Sequence, residues 1–215
     1  MNDPVASRAF VISHTVVIAP PLVPEIKLHL ARNSHAIFQA AHDLVAGGLG
    51  ERPYWAFAWP GGQALSRYIL DHPDLVAGRA VLDLGAGSAM AAIAAMRAGA
   101  THAIAADVDP LSAAAAGLNA DLNSVSLTVT TDDLLGLECD ADLIIIGDLV
   151  YEPDLQDRVG AFIERHRKRG VPFLYGDRTT ARRPPGSFRM LGEYEAPLTP
   201  ALQDDHIERA RVWQL

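Results

Sequence analysis

Two glycines in Asp83-Leu84-Gly85-Ala86-Gly87-Ser88-Ala89 fall where a short apolar run, Ala80 to Leu84, should turn into an alanine-rich helix over 88–98. Glycine lets main chain approach a ligand closely, and a helix N-terminus offers unpaired N–H groups to anionic atoms. Asp107 closes the next apolar run, 20 residues past Gly87. That is the spacing of a carboxylate that takes ribose hydroxyls in nucleotide-binding α/β folds. Taken singly, a tight turn would explain the glycines and a helix cap would explain the acid. Together they point to a nucleoside-bearing cofactor at a switch point of a parallel sheet.

A dinucleotide needs Gly or Ala at the sixth position of Gly-x-Gly-x-x-Gly, so that its pyrophosphate can lie against the helix. Met90 stands there. S-adenosylmethionine has no phosphate, and its sulfonium and amino group both favour acidic neighbours. Asp83, Asp107, Asp132 and Asp148 fall at or near the expected carboxyl ends of the first four strands of the sheet. Such a row repels a pyrophosphate and attracts a cation. Other chemistry finds little support. The eight histidines show no His-Glu-x-x-His spacing. Ser88 lacks the preceding glycine of a nucleophile elbow, because residue 86 is Ala. Cys139 sits between Glu138 and Asp140, where acids disfavour a thiolate. Arg165 to Arg169 reads as a solvated helix end.

The elements that must carry these residues alternate strand and helix. Strands are expected at Ala80–Leu84, His102–Asp107, Ser126–Thr130, Asp142–Gly147 and Val171–Tyr175, with Asp142–Gly147 apolar on both faces and so central. Helices are expected after Pro110, to about Leu122, and over Asp154–Arg169. Phe188–Tyr194 and Arg209–Trp213 alternate like a closing antiparallel pair. The pattern predicts an α/β fold with a doubly wound, seven-stranded, mostly parallel sheet and an antiparallel last strand. Val23–Arg32 and His35–Val45 read as two amphipathic helices of a lid, and Gly61–Asp71 as a third helix leading into the core. The expected division is an N-terminal helical extension, 1–60, and one compact unit, 61–215.

The chain has 215 residues, 49% hydrophobic and 20% charged, with 18 basic and 26 acidic side chains for a formal net charge of −8. Length suits one α/β domain with additions. The negative balance argues against nucleic acid as a partner. One cysteine excludes a disulfide framework. The apolar run Ala89–Met96 is far short of the ~20 residues that span a bilayer. The start, Met1-Asn2-Asp3-Pro4, has neither the basic region of a secretory signal nor an arginine-rich amphipathic leader. Bacterial cytoplasm is the expected compartment.

Asp83-Leu84-Gly85-Ala86-Gly87 with Asp107 resembles the first motifs of the seven-strand S-adenosylmethionine-dependent methyltransferases. Within them, the segment from Pro53 through Trp59-Pro60-Gly61-Gly62 to Leu65, Pro24-Glu25-Ile26 and Gly147-Asp148-Leu149-Val150-Tyr151 resemble the electron transfer flavoprotein β-subunit lysine methyltransferases. Ala89 departs from the third glycine common in that loop, at an expected small cost. The resemblance implies that S-adenosylmethionine is held by Asp83, Gly85, Gly87, Ser88, Asp107 and Val108, with Trp59 and Gly62 walling it and Asp132, or Asp133 if the register slips, accepting from adenine. It implies Asp148 and Tyr151 as the pair that guides a lysine to the methyl group, with Asp148 also touching cofactor. A cap before Pro153 would be the plainer role for Asp148. The implied substrate is the flavoprotein β-subunit, at lysines beside its dehydrogenase recognition loop, and eukaryotic relatives are mitochondrial. Another protein such as a ribosomal one, a small molecule, an NAD-dependent reductase or a non-catalytic binding module remain the competing readings.

Overall fold

A computed structural model describes residues 3–44, 52–150, 153–178, 186–199, 201 and 207–215. The N-terminal elements are α1 (Pro4–His14), β1 (Val16–Ile18), β2 (Leu28–Leu30) and α2 (Ser34–Leu44). Then come α3 (Pro60–Asp71), β3 (Ala80–Leu84), α4 (Met90–Arg97), β4 (His102–Ala106), α5 (Pro110–Leu122) and β5 (Thr128–Thr130). The remainder are β6 (Leu143–Gly147), α6 (Pro153–Lys168), β7 (Phe173–Arg178), β8 (Arg189–Pro197) and β9 (Ile207–Gln214).

The main sheet has seven strands in the order β5-β4-β3-β6-β7-β9-β8. β3 to β7 run parallel, and β9 pairs antiparallel with both β7 and β8. The chain moves outward from β3 to β5 and then returns to β6 beside β3. That reversal opens a crevice at the carboxyl ends of the two strands, where α/β sheets bind ligands. Alternation along the strands feeds two cores. Val81, Leu143, Ile145 and Leu174 face Leu65, Ile69 and Ile93 of α3 and α4. Leu82, Leu84, Ile144 and Ile146 face Val159, Phe162 and Ile163 of α6. β6 is therefore covered on both sides, as its unbroken apolar run requires.

The expected helix over Val23–Arg32 is not formed. Ile26, Leu28 and Leu30 are fully buried and alternate with Lys27 and His29, which is strand periodicity. β2 pairs antiparallel with β1, Val16 opposite Leu30. Buried side-chain amides fix this segment: Gln63 Oε1 accepts Leu22 N–H at 3.2 Å, Asn123 Oδ1 accepts Lys27 N–H at 3.0 Å, and Asn119 Oδ1 accepts His29 N–H at 2.7 Å. α1 was not anticipated, although Asp3 caps Val5 N–H at 2.9 Å and Pro4 takes the first turn. Its Phe10 and Val11 join a core with Ala115 and Leu118 of α5. β7 runs three residues past its expected end at Tyr175, carrying Arg178 to the sheet's carboxyl edge. No described helix is long and apolar enough to cross a membrane.

Candidate active site

The crevice widens into a cavity of about 1020 Å³ lined by Trp59, Gly62, Asp83, Gly85, Gly87, Ser88, Asp107, Val108, Asp132, Asp133 and Asp148. These are all the sequence-derived candidates except Tyr151, which lies outside the described residues.

Gly85 and Gly87 take φ of +70° and +51°, a left-handed region that side chains disfavour. A Cβ on Gly85 would also overlap the Leu149 side chain. Gly87 N–H donates to Asp107 Oδ2 at 2.8 Å, and Asp109 N–H donates to Oδ1 at 3.0 Å. The ribose-binding candidate is thus oriented by main chain before any ligand arrives. Burial raises its pKa, against the pull of these donors and the Ser112 hydroxyl. Asp83 is 2% exposed and accepts Ala92 N–H at 2.9 Å. Desolvation, aided by the Asp107 charge, pushes its pKa up to about 7. A cation at this end of the cavity would favour the ionised form.

Ala89 caps α4 with φ 59° and ψ 27° and no side-chain bond. Alanine there is less innocuous than its size suggests, since a left-handed L-residue costs roughly 1–2 kcal/mol. Support comes from Asn119, which the sequence reading missed. Fully buried on α5, its Nδ2 donates to Ser88 carbonyl at 2.9 Å and pins the loop from behind.

Where the adenine was expected, the two adjacent acids separate by environment. Asp133 pairs with Arg158 and accepts Leu135 N–H at 3.1 Å. The arginine holds its carboxyl below the usual range. Asp132 accepts the Thr130 hydroxyl at 2.8 Å and has no arginine partner among the described residues. Of the two it is the acid open to the adenine amino role. Val108, 54% exposed, supplies an apolar surface beside it.

At the opposite end α3 begins. Its N-cap is Trp59, with no side-chain cap bond. Asp148, just past the end of β6, supplies one: its Oδ2 accepts Gly62 N–H at 2.8 Å. Asp148 therefore caps α3 rather than the helix near Pro153. The Trp-Pro-Gly-Gly segment is explained by this contact. A Cβ on Gly61 would stand 2.7 Å from both Asp148 carboxylate oxygens, and one on Gly176 would overlap Gly61 carbonyl. On Gly147 it would stand 3.2 Å from Gly62 Cα. The first turn of α3 rests on bare main chain at the ends of β6 and β7. Asp148 itself has φ 48° and donates its N–H to Gly176 carbonyl at 2.9 Å. Burial raises its carboxyl to about 6, offset by Gly62 N–H and the Arg178 charge, and Oδ1 is buried without a hydrogen bond among the described residues.

Trp59 Nε1 donates to Tyr54 carbonyl at 2.9 Å, fixing the indole at the cavity wall. Arg178, which sequence reasoning also missed because β7 was expected to end earlier, lies over that ring, 5.7 Å from its centroid.

This arrangement fits S-adenosylmethionine. The glycine loop admits close approach, an oriented acid stands where the sequence spacing expects a ribose, and the buried carboxyls of Asp83 and Asp148 lie where positive charge would relieve their desolvation. Residues 63–150 match the family model of ribosomal protein L11 methyltransferase (PrmA). The electron transfer flavoprotein beta subunit lysine methyltransferase of Xenopus laevis is 40% identical over 173 residues, covering 79% of this chain and 69% of that protein. Its Homo sapiens counterpart is 40% identical over 161 residues, 74% of this chain and 60% of that protein. The chain thus spans about two thirds of the length of these relatives. A solved 16S rRNA N2 G1207 methyltransferase from T. Thermophilus, in complex with AdoMet and guanosine, superposes with a TM-score of 0.52 at 19% identity, covering 79% of this chain and 44% of that one. At that identity the likeness shows the fold. The relatives show more: this chain belongs to the S-adenosylmethionine-dependent electron transfer flavoprotein β-subunit lysine methyltransferases.

Proposed function

We propose that this chain methylates lysine side chains of the electron transfer flavoprotein β-subunit, beside the loop that meets its dehydrogenases. The observation that carries the reading is the 40% identity, over most of this chain, with proteins named for that activity. The cavity supports it chemically. S-adenosylmethionine, when bound, supplies an electrophilic methyl group on a sulfonium. Gly85 and Gly87 would border its amino-acid end with Asp83, Asp107 would hold the ribose and Asp132 the adenine amino group, while Trp59 and Gly62 close the wall.

The residues must then present an uncharged amine in line with the methyl group. A carboxylate raises a lysine's pKa, whereas positive charge nearby lowers it. Asp148 has one oxygen on the α3 N-terminus, so it serves as an orienting group rather than a strong base. Placement supplies most of the acceleration, for which well-aligned partners gain ~7–11 kcal/mol. The net charge of −8 helps draw a lysine-bearing partner. Each methyl group keeps the lysine's charge and removes an N–H donor, which tunes docking without abolishing it.

Mass spectrometry of purified flavoprotein β-subunit after incubation with the enzyme and methyl donor tests the reading. Methyl-mass increments on lysine are expected. An unmodified β-subunit, with label on ribosomal protein L11 instead, would overturn it in favour of the second reading that the match over residues 63–150 supports.

A further inference from the structure

Trp59 turns one face of its indole to a cation that the chain itself provides. The Arg178 guanidinium, 5.7 Å from the ring centroid, is within the ~6 Å reach of cation–π attraction. Two more rings stand at steep angles to that indole: Tyr54 with centroids 5.9 Å apart at 69°, and Phe57 at 5.6 Å and 54°. The three form a corner of the cavity rather than a stack, and Asp148 and Arg178 line the same cavity. The hydrogen bond from Trp59 Nε1 to Tyr54 holds the corner's shape. Arg178 is not locked in place. Its carboxylate partner, Glu208, is 3.7 Å away and the guanidinium is partly exposed, so the pair adds little to hold it there.

We infer that the corner of Trp59, Tyr54 and Phe57 is a binding subsite for the alkylammonium head of the target lysine, and that Arg178 fills it while no lysine is present. The inference rests on the reading that the substrate is a lysine side chain. It adds where the amine docks between rounds of transfer. A carboxylate holds an ammonium partly through N–H donors, and every methyl group added removes one. A ring face responds to charge, which methylation retains, so quaternary and partly methylated ammonium groups suit it as well as the free amine does. Such a corner retains a monomethylated lysine for the next round. Arg178 opposes this by competing for the same face, and so limits how long the partly methylated side chain stays.

Tetramethylammonium chloride is the probe, titrated into the protein alone while saturation transfer to its own methyl resonance is followed by NMR in every variant, and the indole N–H of Trp59 in those that keep it, with sodium chloride at equal ionic strength as control. Saturable shifts are expected in the wild type. Binding should tighten several-fold in Arg178→Gln, stay near wild type in Arg178→Lys, where a cation still competes, and vanish in Trp59→Leu. Trp59→Phe, which keeps a ring, should retain part of it and guards against a folding defect in the leucine variant. In the transfer assay, tetramethylammonium should compete with the protein substrate and not with S-adenosylmethionine. Arg178→Gln should lower the KM for protein and enrich higher methylation states. No Trp59 response, weaker binding in Arg178→Gln, or competition with S-adenosylmethionine alone would overturn the inference. A wild-type enzyme that modifies no lysine would instead sink the proposed substrate, while the titration still decides whether the corner binds an alkylammonium.

Discussion

The side-chain amide of Asn119 donates to the carbonyl of Ser88 across 2.9 Å, so the cofactor loop is held by a residue 31 positions further along the chain. The same amide accepts His29 N–H, which places β2, α5 and the loop on one buried polar group. Asn119→Ala strands a carbonyl and an N–H in the interior. Each such loss costs about 1–3 kcal/mol. With two groups stranded, a stability decrease of about 2–6 kcal/mol is expected in denaturant melts, with several-fold weaker binding of S-adenosylhomocysteine by calorimetry. An unchanged melt would mean that water replaces both bonds.

Acid should stabilise this protein through its buried carboxyls. In the unfolded chain Asp83 and Asp148 titrate near ~3.9, whereas in the folded protein they do so at about 7 and about 6. The folded state binds more protons between these limits. Its stability from the two groups is fully present below the unfolded value and falls as pH rises through about 6 and then about 7. Asp83→Asn keeps an acceptor for Ala92 N–H and removes one titration. Its stability relative to wild type should therefore rise from pH 5 to pH 8; a constant difference would show that Asp83 is not protonated in this range.

The exposed pair of Arg158 and Asp133 joins α6 to the turn at the proposed nucleoside end of the cavity. Surface pairs contribute about 0–1 kcal/mol, so Arg158→Ala should barely shift the melting temperature. Its effect should appear as a few-fold weaker affinity for S-adenosylhomocysteine. The exchange of charges in Asp133→Arg with Arg158→Asp should recover part of that loss. Equal weakening in the single and exchanged variants would argue that the pair is incidental.

Gly61→Ala introduces a methyl 2.7 Å from both oxygens of Asp148 and from the Gly176 carbonyl carbon, where backbone cannot yield. Overpacking of this kind costs about 1–3 kcal/mol or more. Gly136→Ala, with open space around the new Cβ, is the control, expected within about 1 kcal/mol. Comparable melts for the two would remove the close seating of α3 as the reason for the Gly-Gly pair.

Much of this arrangement is legible in the chain because it rests on local rules. The glycine loop, the acid at 107 and the doubly buried run of β6 depend on turn geometry, fixed spacing and face burial. Val23–Arg32 misled because Val23, Ile26 and Leu30 also satisfy a helical spacing, and only the pairing of Leu28–Leu30 with Val16–Ile18 separates the two patterns. Asn119 and Arg178 gave no local signal. An asparagine in an alanine-rich helix and an arginine past an apparent strand end acquire roles only when distant segments meet.

The amides of Gln63, Asn119 and Asn123 that fasten the N-terminal segment carry no proton to gain or lose. Mild acid and salt should therefore change the charge inside the cavity while these attachments persist. Ligand affinity follows the carboxyls of the cavity, whereas acid reaches β2 only through the His29 imidazole, whose pKa burial and the Arg8 charge lower, and salt leaves the amide bonds of the segment in place.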